Sequence, residues 1–416
     1  MTQETQTVVI IGAGQAGLSV CAKLRSLGHT GPITLIGAED TPPYQRPPLS
    51  KAYALGDMEM DRLLLRPLDF YQANNITLKT STHVTGIDRV SKTVKTAAGK
   101  TFEYDSLVLA TGAPPRKLPA SIGGDLEGVY CIRTLEDADG FAEHLETSKS
   151  ALIVGGGYIG LEAAAVAAKR GLKVTLIEAA DRILGRVASP QTADYFRALH
   201  KAHGVEILEQ TGLAKLTGEN GQVTGADLSN GAHLAADFVI VGIGVIPEAS
   251  LAEAAGLTLE NGISVDDHCR TNDPSIYAAG DCASFPTSKG RIRLESVGNA
   301  IAQADAAAAA ILGSDAPYVA KPWFWSDQYD VKLQIAGLNS GYDRVVTRQN
   351  DEKSCSFWYF KGDILLAVDA MNDPRAYMIG KRMIENGQSP IDSEIGNPEQ
   401  NLKTLTVSPN GGMSKS

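Results

Sequence analysis

Short apolar blocks and longer amphipathic stretches alternate along the chain. Val8–Ile11 is a block of four β-favouring apolar residues, and residues 18 to about 27 then repeat their apolar positions with helical spacing. A second pair of this kind starts at residues 151–154 and continues into a helical pattern that ends near Arg170, where Gly171 is placed to stop the helix. Strands that alternate with helices in this way predict an α/β fold with parallel sheets.

Both strand-to-helix junctions carry the sequence Gly-x-Gly-x-x-Gly. The glycines are Gly12, Gly14 and Gly17 in the first copy and Gly155, Gly157 and Gly160 in the second. The first glycine of such a set allows a tight turn, the second lets the backbone approach a pyrophosphate, and the third lets helix and strand pack closely. The helix N-terminus attracts the phosphate charge. One copy could be an ordinary turn, but two complete copies predict two dinucleotide sites.

The residue that follows the next strand differs between the copies. In the second copy the strand ends in Glu178, 23 residues after Gly155. An acid at that place binds the adenosine ribose hydroxyls and repels a 2′-phosphate, which favours NAD(H). In the first copy Gly37 takes the aligned position. Glu39, two residues later, either reaches the ribose or is a solvated loop acid.

Proline-rich and small-residue segments supply further candidate ligand contacts. Three prolines hold residues 43–51 extended, which suits a wall against a flat ligand. A helix is predicted from Ser50 to Leu55 that presents Lys51 inward, the alternative being a surface lysine. One later strand ends in small residues at 110–112, where open α/β sheets bind ligands. Another ends in Gly280-Asp281, whose aspartate can hydrogen-bond a ligand hydroxyl.

Changes in pattern divide the chain into three predicted domains. Pro114 and Pro115 mark the crossing out of the first Rossmann-type domain, and the apolar strand at 237–247 marks the return. The predicted divisions are 1–114 with 239–316 for a discontinuous first domain, 115–238 for the second dinucleotide domain, and 317–416 for a C-terminal α+β domain whose last residues, 397–416, form a mobile tail.

Composition restricts the function. The net charge of −10 argues against nucleic acid as a partner. No apolar run reaches the roughly 18 residues that a membrane span needs, and the polar start, Met1 to Gln6, is unlike a signal peptide, so a cytoplasmic location is expected. The seven histidines include none in a nucleophile-elbow setting, which gives a hydrolase little support.

The cysteines are scattered. They are Cys21, Cys131, Cys269, Cys282 and Cys355. None belongs to a Cys-x-x-Cys pair, so the sequence suggests neither a metal site nor a local redox disulfide, and each is best interpreted as a small buried apolar residue.

With these features the chain resembles the pyridine-nucleotide-dependent flavoprotein reductases of the glutathione-reductase fold, and within them the NADH:ferredoxin reductases of bacterial monooxygenase and dioxygenase systems. The resemblance covers residues 8 to about 386. Its most specific carriers are Arg-Pro-Pro-Leu-Ser-Lys at 46–51 and Trp-Phe-Trp-Ser-Asp-Gln-Tyr at 323–329, which disulfide reductases lack. It implies FAD in the first dinucleotide domain, NADH in the second, and a C-terminal α+β domain.

The resemblance also implies site residues. For FAD these are Gly12, Gly14, Ala16, Gly17, Ala38 or Glu39, Arg46, Lys51, Val84, Ala110, Thr111, Gly112, Arg133, Gly280, Asp281 and Val297. For NADH they are Gly155, Gly156, Gly157, Tyr158, Ile159, Gly160, Glu178 and Gly244. Lys51 and Glu162 are expected to form an ion pair near flavin N5, with Tyr158 as a gate over the flavin. Trp325 belongs either to this site and a docking face or to the domain core.

The implied partner is a [2Fe-2S] ferredoxin that takes electrons one at a time and feeds a terminal oxygenase. Asp305 is acidic where relatives can carry a basic residue for docking, so the docking surface cannot be transferred to this chain. A disulfide or peroxide reductase of the same fold is one alternative, although residues 43–51 lack the reactive cysteine it requires. A non-enzymatic flavin- and NADH-binding redox sensor is the other.

Overall fold

The computed structural model describes residues 3–288 and 290–409, which fall into two compact units. Unit 1 comprises residues up to Arg46, Met58–Pro114 and Val245–Ala320, and unit 2 comprises Pro47–Asp57, Pro115–Gly244 and the residues from Lys321 onward. Each unit contains one parallel sheet and one of the two glycine turns. Within the described part of the chain, none of the helices combines the length and the apolar character that crossing a membrane requires.

The helices and strands have the following bounds. The helices are α1 Gln15–Ser26, α2 Met60–Leu63, α3 Leu68–Ala73, α4 Leu135–Thr147, α5 Tyr158–Lys169, α6 Pro190–Ala202, α7 Ser250–Ala254, α8 Val297–Ile311, α9 Pro374–Glu385 and α10 Asp392–Ile395. The strands are β1 Val8–Ile11, β2 Ile33–Ile36, β3 Ile76–Lys79, β4 Val84–Asp88, β5 Thr93–Thr96, β6 Thr101–Glu103, β7 Ser106–Leu109, β8 Val129–Tyr130, β9 Ser150–Val154, β10 Lys173–Ile177, β11 Glu206–Leu208, β12 Leu213–Glu219, β13 Gln222–Leu228, β14 His233–Ala235, β15 Phe238–Val241, β16 Ile263–Ser264, β17 Ile276–Ala278, β18 Ala283–Thr287, β19 Gly290–Ile292, β20 Trp323–Gln328, β21 Val331–Gly337, β22 Arg344–Gln349, β23 Cys355–Lys361, β24 Ile364–Met371, β25 Gln388–Pro390 and β26 Val407–Pro409.

Unit 1 is built on a parallel sheet with the order β17-β7-β1-β2-β3. All residues of β1 and β7 are buried, which is why both strands are continuous apolar runs without alternation. The chain passes from β1 to β2 on one side and later returns to β7 on the other side of β1. The first glycine turn therefore stands at the switch point of the sheet, where open α/β sheets form a ligand crevice.

Unit 2 repeats this arrangement with the order β11-β10-β9-β15-β8, so that β9 and the second glycine turn occupy the switch point. An antiparallel sheet, β20-β21-β24-β23-β22, is formed by the C-terminal part of the chain, and α9 packs on β24. One hydrophobic core joins the two sheets, since Ile153 and Phe196 belong to the same buried cluster as Leu333 and Tyr359. This shared core explains why both sheets fall within one compact unit.

The predicted fold class, two Rossmann-type folds and a C-terminal α+β part, is confirmed, and three details differ. Residues 50–55 are not the predicted helix. Pro47–Ser50 is a 3₁₀ helix and turns follow it, since the described residues show one i→i−4 backbone hydrogen bond there, from the N–H of Leu55 to the carbonyl of Lys51. Strand β15 pairs with β9, so the chain leaves unit 2 after Gly244, later than the predicted boundary at residue 238.

The C-terminal segment differs from the expected mobile tail as far as the structure describes it. Residues 402–404 form a 3₁₀ helix, and Val407–Pro409 pairs with Gln388–Pro390. Leu402 and Leu405 are buried, which gives the segment an apolar anchor that its polar composition conceals. The remainder of the predicted tail, 410–416, lies outside the described residues.

Candidate active site

The first glycine turn shows two glycines that the fold requires and one that it leaves open. A Cβ on Gly12, whose φ is +111°, would lie 2.1 Å from the carbonyl oxygen of Ala110, and a Cβ on Gly17 would lie 2.0 Å from that of Gly12. A Cβ on Gly14 would meet nothing within 4 Å among the described residues. Gly12 and Gly17 are thus explained by packing, whereas Gly14 leaves free space at the N-terminus of α1, as a pyrophosphate cradle needs.

Small residues from three elements meet beside this turn. Gly280 follows β17 with φ +84°, and a Cβ on it would lie 3.0 Å from Cβ of Ala16 and 3.7 Å from Cβ of Ala300. The N–H of Gly280 donates to Oε1 of Gln303 across 2.8 Å. Val297, predicted as an FAD contact, is the first residue of α8. The arrangement provides a surface without bulky side chains next to a 15-residue helix's N-terminus, and both features suit a flat anionic cofactor.

Glu39 is not a free loop acid. Its carboxylate accepts hydrogen bonds from the Tyr44 hydroxyl and from Arg46 Nη2, each at 2.5 Å. The Arg46 guanidinium also lies 4.9 Å from the centre of the Tyr44 ring. These three side chains form one network after β2, which limits the Glu39 carboxylate to a fixed position.

The other residues predicted to contact FAD have varied settings. Thr111 Oγ1 donates to the carbonyl of Glu248 across 2.5 Å, and Gly112 has a positive φ of 74° directly after it. Val84 is buried. In unit 2, the backbone N–H of Arg133 donates to Asp137 Oδ2 at 2.9 Å, beside the capping box of α4. Ala38 and Asp281 complete the set in unit 1.

The second glycine turn repeats the first. A Cβ on Gly155 would lie 2.4 Å from the carbonyl oxygen of Gly242, and a Cβ on Gly160 would lie 2.1 Å from that of Gly155. A Cβ on Gly157 meets nothing within 4 Å in the described structure. Gly244, with φ +97°, and Ile159, which is 45% exposed, are the remaining predicted NADH contacts here.

Gly156 and Glu178 distinguish the second turn from the first. The N–H of Gly156 donates to Glu178 Oε2, and the N–H of Ala180 donates to Glu178 Oε1, both at 2.7 Å. A Cβ on Gly156 would lie 2.7 Å from Cγ2 of Ile183 and 3.2 Å from the Glu178 carboxylate. The missing side chain therefore leaves room for the acid.

The aligned pair in the first turn is reversed, and this accounts for the departure at Gly37. There Ala13 carries the side chain, and a Cβ on Gly37 would lie only 2.6 Å from Cβ of Ala13. Each turn thus holds one glycine and one larger residue at these two positions. The first turn therefore has no acid at the end of its second strand, and the nearest acid, Glu39, lies two residues further on.

Lys51 and Glu162 form a buried ion pair in unit 2. Lys51 Nζ lies 2.7 Å from Glu162 Oε2, with the side chains 18% and 5% exposed. Ser50 Oγ donates to the same oxygen at 2.9 Å, and Ser326 Oγ donates to Oε1 at 2.6 Å. Lys51 therefore points inward, as predicted, and is not a surface lysine. The sequence did not predict Ser50 and Ser326 as partners of Glu162, because the segment at 323–329 is three aromatic residues followed by three polar ones, without the alternation that would mark an inward polar face.

Tyr158 lies at the start of α5 with its ring 4.9 Å from that of Phe324. Its hydroxyl is buried and has no hydrogen-bond partner among the described residues, and burial raises the pKa of Tyr158 well above its ordinary value. An unpartnered buried polar group costs about 1–3 kcal/mol. The position of the Tyr158 hydroxyl is therefore costly to maintain, and its role as a gate stays a prediction.

Trp325 occupies the face of β20 opposite Ser326. Its ring stacks on that of Trp323 at a centroid distance of 5.5 Å, and both tryptophans are only partly buried. Trp325 is therefore not part of a closed core, and its place in a docking face stays a prediction.

The five cysteines are buried free thiols. Burial raises the pKa of Cys21, Cys269 and Cys355 to about 12, and it also raises the pKa of Cys131 and Cys282. Since the thiolate is the reactive form, these thiols are poor nucleophiles at neutral pH.

Comparison with known proteins agrees with this geometry. Residues 6–304 match the family described as pyridine nucleotide-disulphide oxidoreductase, and residues 323–406 match the reductase C-terminal family. Rhodocoxin reductase of Rhodococcus erythropolis is 41% identical over 400 residues, covering 95% of this chain and 93% of the relative. A ferredoxin–NAD(P)(+) reductase of a Sphingomonas species is 42% identical, covering 98% of this chain and all (100%) of the relative.

A crystal structure of a covalent putidaredoxin reductase–putidaredoxin complex is also similar, with a TM-score of 0.92, 41% identity, and coverage of 96% of this chain and 97% of that one. The glycine turns, the acid after the second turn and the antiparallel C-terminal sheet are thus set in a chain that matches these reductases along nearly its whole length. The chain is an oxidoreductase that belongs to the pyridine nucleotide-disulphide oxidoreductase family, in the group that includes rhodocoxin reductase and putidaredoxin reductase.

Proposed function

We propose that this chain is an NADH-dependent FAD flavoprotein that reduces a [2Fe-2S] ferredoxin, which in turn feeds a cytochrome monooxygenase or a ring-hydroxylating dioxygenase. The observation that carries the proposal is the pair of complete glycine turns, of which, among the described residues, only the second has an acid that accepts a hydrogen bond from its backbone N–H. The named partners and systems of the similar reductases support the choice of electron acceptor.

FAD fits unit 1. Gly14 leaves open space at the N-terminus of α1, and Ala16 and Gly280 form a surface of small residues beside it. The N-terminus of α8, at Val297, carries partial positive charge that suits an anionic ring edge. When bound, FAD accepts a hydride from NADH and releases electrons singly to a one-electron carrier.

NADH fits the second turn. Glu178 holds two backbone N–H donors, at Gly156 and Ala180, and its carboxylate is available to the adenosine ribose hydroxyls. The same negative charge repels the 2′-phosphate of NADPH. Gly157 leaves open space for the pyrophosphate at the N-terminus of α5.

Lys51, Glu162 and Tyr158 are the proposed catalytic residues. Lys51 supplies positive charge directly after the 3₁₀ helix Pro47–Ser50, and Glu162 holds that charge in place across 2.7 Å. Tyr158 closes the site until the nicotinamide displaces its ring from the contact with Phe324. Closure of this kind excludes water from the reacting groups.

The proposal places the enzyme in the cytoplasm, where NADH is produced and where five buried free cysteines stay reduced. Its acidic net charge of −10 is unsuited to a nucleic acid partner. The partner it needs is a small iron–sulfur protein, and Trp325 is the proposed aromatic element of the docking face.

Stopped-flow reduction of the purified FAD-bound protein tests the proposal. We expect NADH to bleach the flavin absorbance much faster than NADPH, and a two-iron ferredoxin from a panel to restore it in two one-electron steps. A one-iron rubredoxin and a ferredoxin stripped of its cluster serve as controls. Protein that stays colourless after FAD is offered, or that no iron–sulfur protein reoxidises, contradicts the proposal.

A further inference from the structure

A row of polar side chains in unit 2, three of them fully buried, ends on Glu162. Its members are Tyr329, His200, Gln328 and Ser326, which we term the donor row. Because side chains alternate along β20, Ser326 and Gln328 share its inward face, and both are 0% exposed. His200 on α6 is also 0% exposed. Burying three polar groups completely costs folding free energy unless each of them is hydrogen-bonded.

Each member of the donor row contacts the next. Ser326 Oγ lies 2.6 Å from Glu162 Oε1, and Gln328 Nε2 lies 3.1 Å from Ser326 Oγ. His200 Nε2 lies 2.8 Å from Gln328 Oε1, and the Tyr329 hydroxyl lies 3.2 Å from His200 Nδ1. The row therefore runs from the surface of unit 2 to the carboxylate that pairs with Lys51.

The chemistry of the groups allows one direction of donation. A carboxylate only accepts, so the Ser326 hydroxyl must donate to Glu162 and must itself accept from the amide nitrogen of Gln328. The amide oxygen of Gln328 then faces His200, whose Nε2 must carry the proton. That leaves Nδ1 of His200 to accept from Tyr329. In every hydrogen bond of the donor row, the donated hydrogen therefore points along the row toward Glu162.

Two observations show that the surrounding structure holds the outer end of the donor row in place. Tyr329 has a φ of +56°, a left-handed conformation that is unusual for an aromatic residue and that is held by surrounding contacts. The ring of His203 stacks on Tyr329 at a centroid distance of 3.7 Å, which covers the outer end of the row. Burial lowers the pKa of His200 to about 4, so His200 is neutral at pH 7, as the direction of donation requires.

We propose that Gln328 and His200 are positioning residues that hold the Glu162 carboxylate in one rotamer and aim a line of aligned dipoles at it. The inference rests on the proposed function, because it assigns these residues an effect on hydride transfer through Glu162. The amide of Gln328 keeps both of its protons in this arrangement. The donor row thus orients Glu162 and does not deliver protons to it.

The tautomer of His200 tests the donor row without any assay of activity. In the FAD-bound protein labelled with ¹⁵N-histidine at pH 7, we expect His200 to carry its proton on Nε2 and to have an unprotonated Nδ1, with the signal assigned by its loss in His200→Gln. The opposite tautomer, or a doubly protonated ring, overturns the proposal.

Kinetic variants test its consequence. We expect His200→Leu and Gln328→Leu to slow NADH-dependent flavin reduction about 10-fold with little change in the dissociation constant of NADH, since misplaced groups act on the reaction step. His200→Gln restores a donor near the position of Nε2 and should stay within about twofold of wild type. Asp327→Asn, on the opposite face of β20, is the matched control and should leave the rate unchanged.

Combined variants separate positioning from loss of packing. Once Ser326→Ala removes the last donor, adding His200→Leu should slow the reaction no further. If the two substitutions instead damaged the structure independently, their effects on the rate would multiply. Tyr329→Phe, which keeps the ring, provides a variant that folds even where His200→Leu does not, and it should show the smallest slowing of the series. The proposal is overturned if NADH reduces wild type normally and the single variants keep the wild-type rate. It is also overturned if the slowing in the double variant is the product of the slowing in the two single variants. Failure of NADH to reduce wild type at all instead refutes the proposed function.

Discussion

The backbone N–H of Gly156 donates a hydrogen bond to the carboxylate of Glu178 across 2.7 Å. This contact fixes an acid at the place where an adenosine ribose binds in the proposed function. The first glycine turn lacks any such contact in the described structure, because Ala13 fills the space that Gly156 leaves open. The two turns are therefore alike in the backbone and different in the charge they present to a nucleotide.

Replacing Glu178 should change nucleotide preference. We expect Glu178→Ala to raise the KM for NADH about 10-fold and to lower the ratio of kcat/KM for NADH over NADPH by about 100-fold, because ribose hydrogen bonds and repulsion of the 2′-phosphate are lost together. Steady-state kinetics with both nucleotides measures this. Glu219→Gln, at an exposed position of β12, is the control. An unchanged ratio would contradict the role of Glu178.

Alanine at the glycines of the first turn should separate folding from cofactor binding. Gly14→Ala should unfold at the same temperature as wild type in the FAD-free state but bind FAD about 10-fold or more weakly, since the added Cβ enters only the open space. Gly12→Ala should fold poorly, because its Cβ would lie 2.1 Å from a carbonyl oxygen. Thermal unfolding and FAD titration distinguish the two, and equal defects in both variants would refute the distinction.

Gly157→Ala should have the corresponding effect on the second nucleotide. A Cβ there meets nothing within 4 Å in the described residues, so stability and FAD content should stay at the wild-type level. The dissociation constant of NADH should rise about 10-fold, because the pyrophosphate can no longer approach the backbone. Calorimetric titration with NADH measures the effect. Tight NADH binding by this variant would argue against the second turn as the pyrophosphate site.

Lys51→Met should lower the free energy of unfolding and slow the reduction of the flavin by NADH. Among the described residues it leaves the buried Glu162 carboxylate with only the hydroxyl donors Ser50 and Ser326, and breaking a buried ion pair on one side costs about 3–5 kcal/mol. We also expect flavin reduction by NADH to slow about 10-fold or more, because the positive charge is gone. The double variant Lys51→Met/Glu162→Gln should recover most of the stability but not the rate. If Lys51→Met keeps the wild-type rate and flavin potential, the proposed role of the pair is wrong.

The stability of unit 2 should depend on pH in two opposite ways. Burial lowers the pKa of His200 to about 4, so the folded state binds fewer protons than the unfolded state between about pH 4 and 6.5, and the contribution of His200 to stability rises with pH across that window. Burial raises the pKa of Asp369 to about 6, so its contribution falls as pH rises from about 4 to 6.

Urea unfolding of wild type, His200→Gln and Asp369→Asn from pH 4 to 8 isolates these contributions. The free energy of unfolding of wild type minus that of His200→Gln should rise with pH up to about 6.5, and wild type minus Asp369→Asn should fall up to about pH 6, each by up to about 3 kcal/mol. Both differences should be flat at higher pH. Slopes of the same sign for the two variants would contradict the assigned pKa directions.

Thiol titration should separate electron transfer through flavin alone from the chemistry of a disulfide reductase. The structure holds five free buried cysteines, so the denatured protein should give five thiols both before and after reduction by NADH. Alkylation of the native enzyme with iodoacetamide should leave its activity intact, because burial keeps the thiols protonated. Two additional thiols after reduction would favour the disulfide-reductase alternative.

Local pattern predicted the two glycine turns, the flanking strands and helices, and the acid at Glu178, because turn, strand and helix N-terminus are consecutive in the chain and the backbone there has few choices. It also predicted that Lys51 points inward. Pattern was wrong about the helix at 50–55, since Pro47 and Pro48 favour a tight 3₁₀ turn whose geometry periodicity cannot reveal. It was also misled at the C-terminus, where Leu402 and Leu405 are buried within a polar stretch.

The partners of Glu162 could be found only by folding the chain. Ser50, Ser326 and Lys51 approach that carboxylate from positions more than 100 residues away, and hydrogen bonds between such distant residues leave no spacing to detect. The same holds for His200 and Gln328, which are 128 residues apart. Elements that are continuous in sequence obey local rules of turn and periodicity, whereas buried polar groups are paired by whichever strand and helix the shared core brings together.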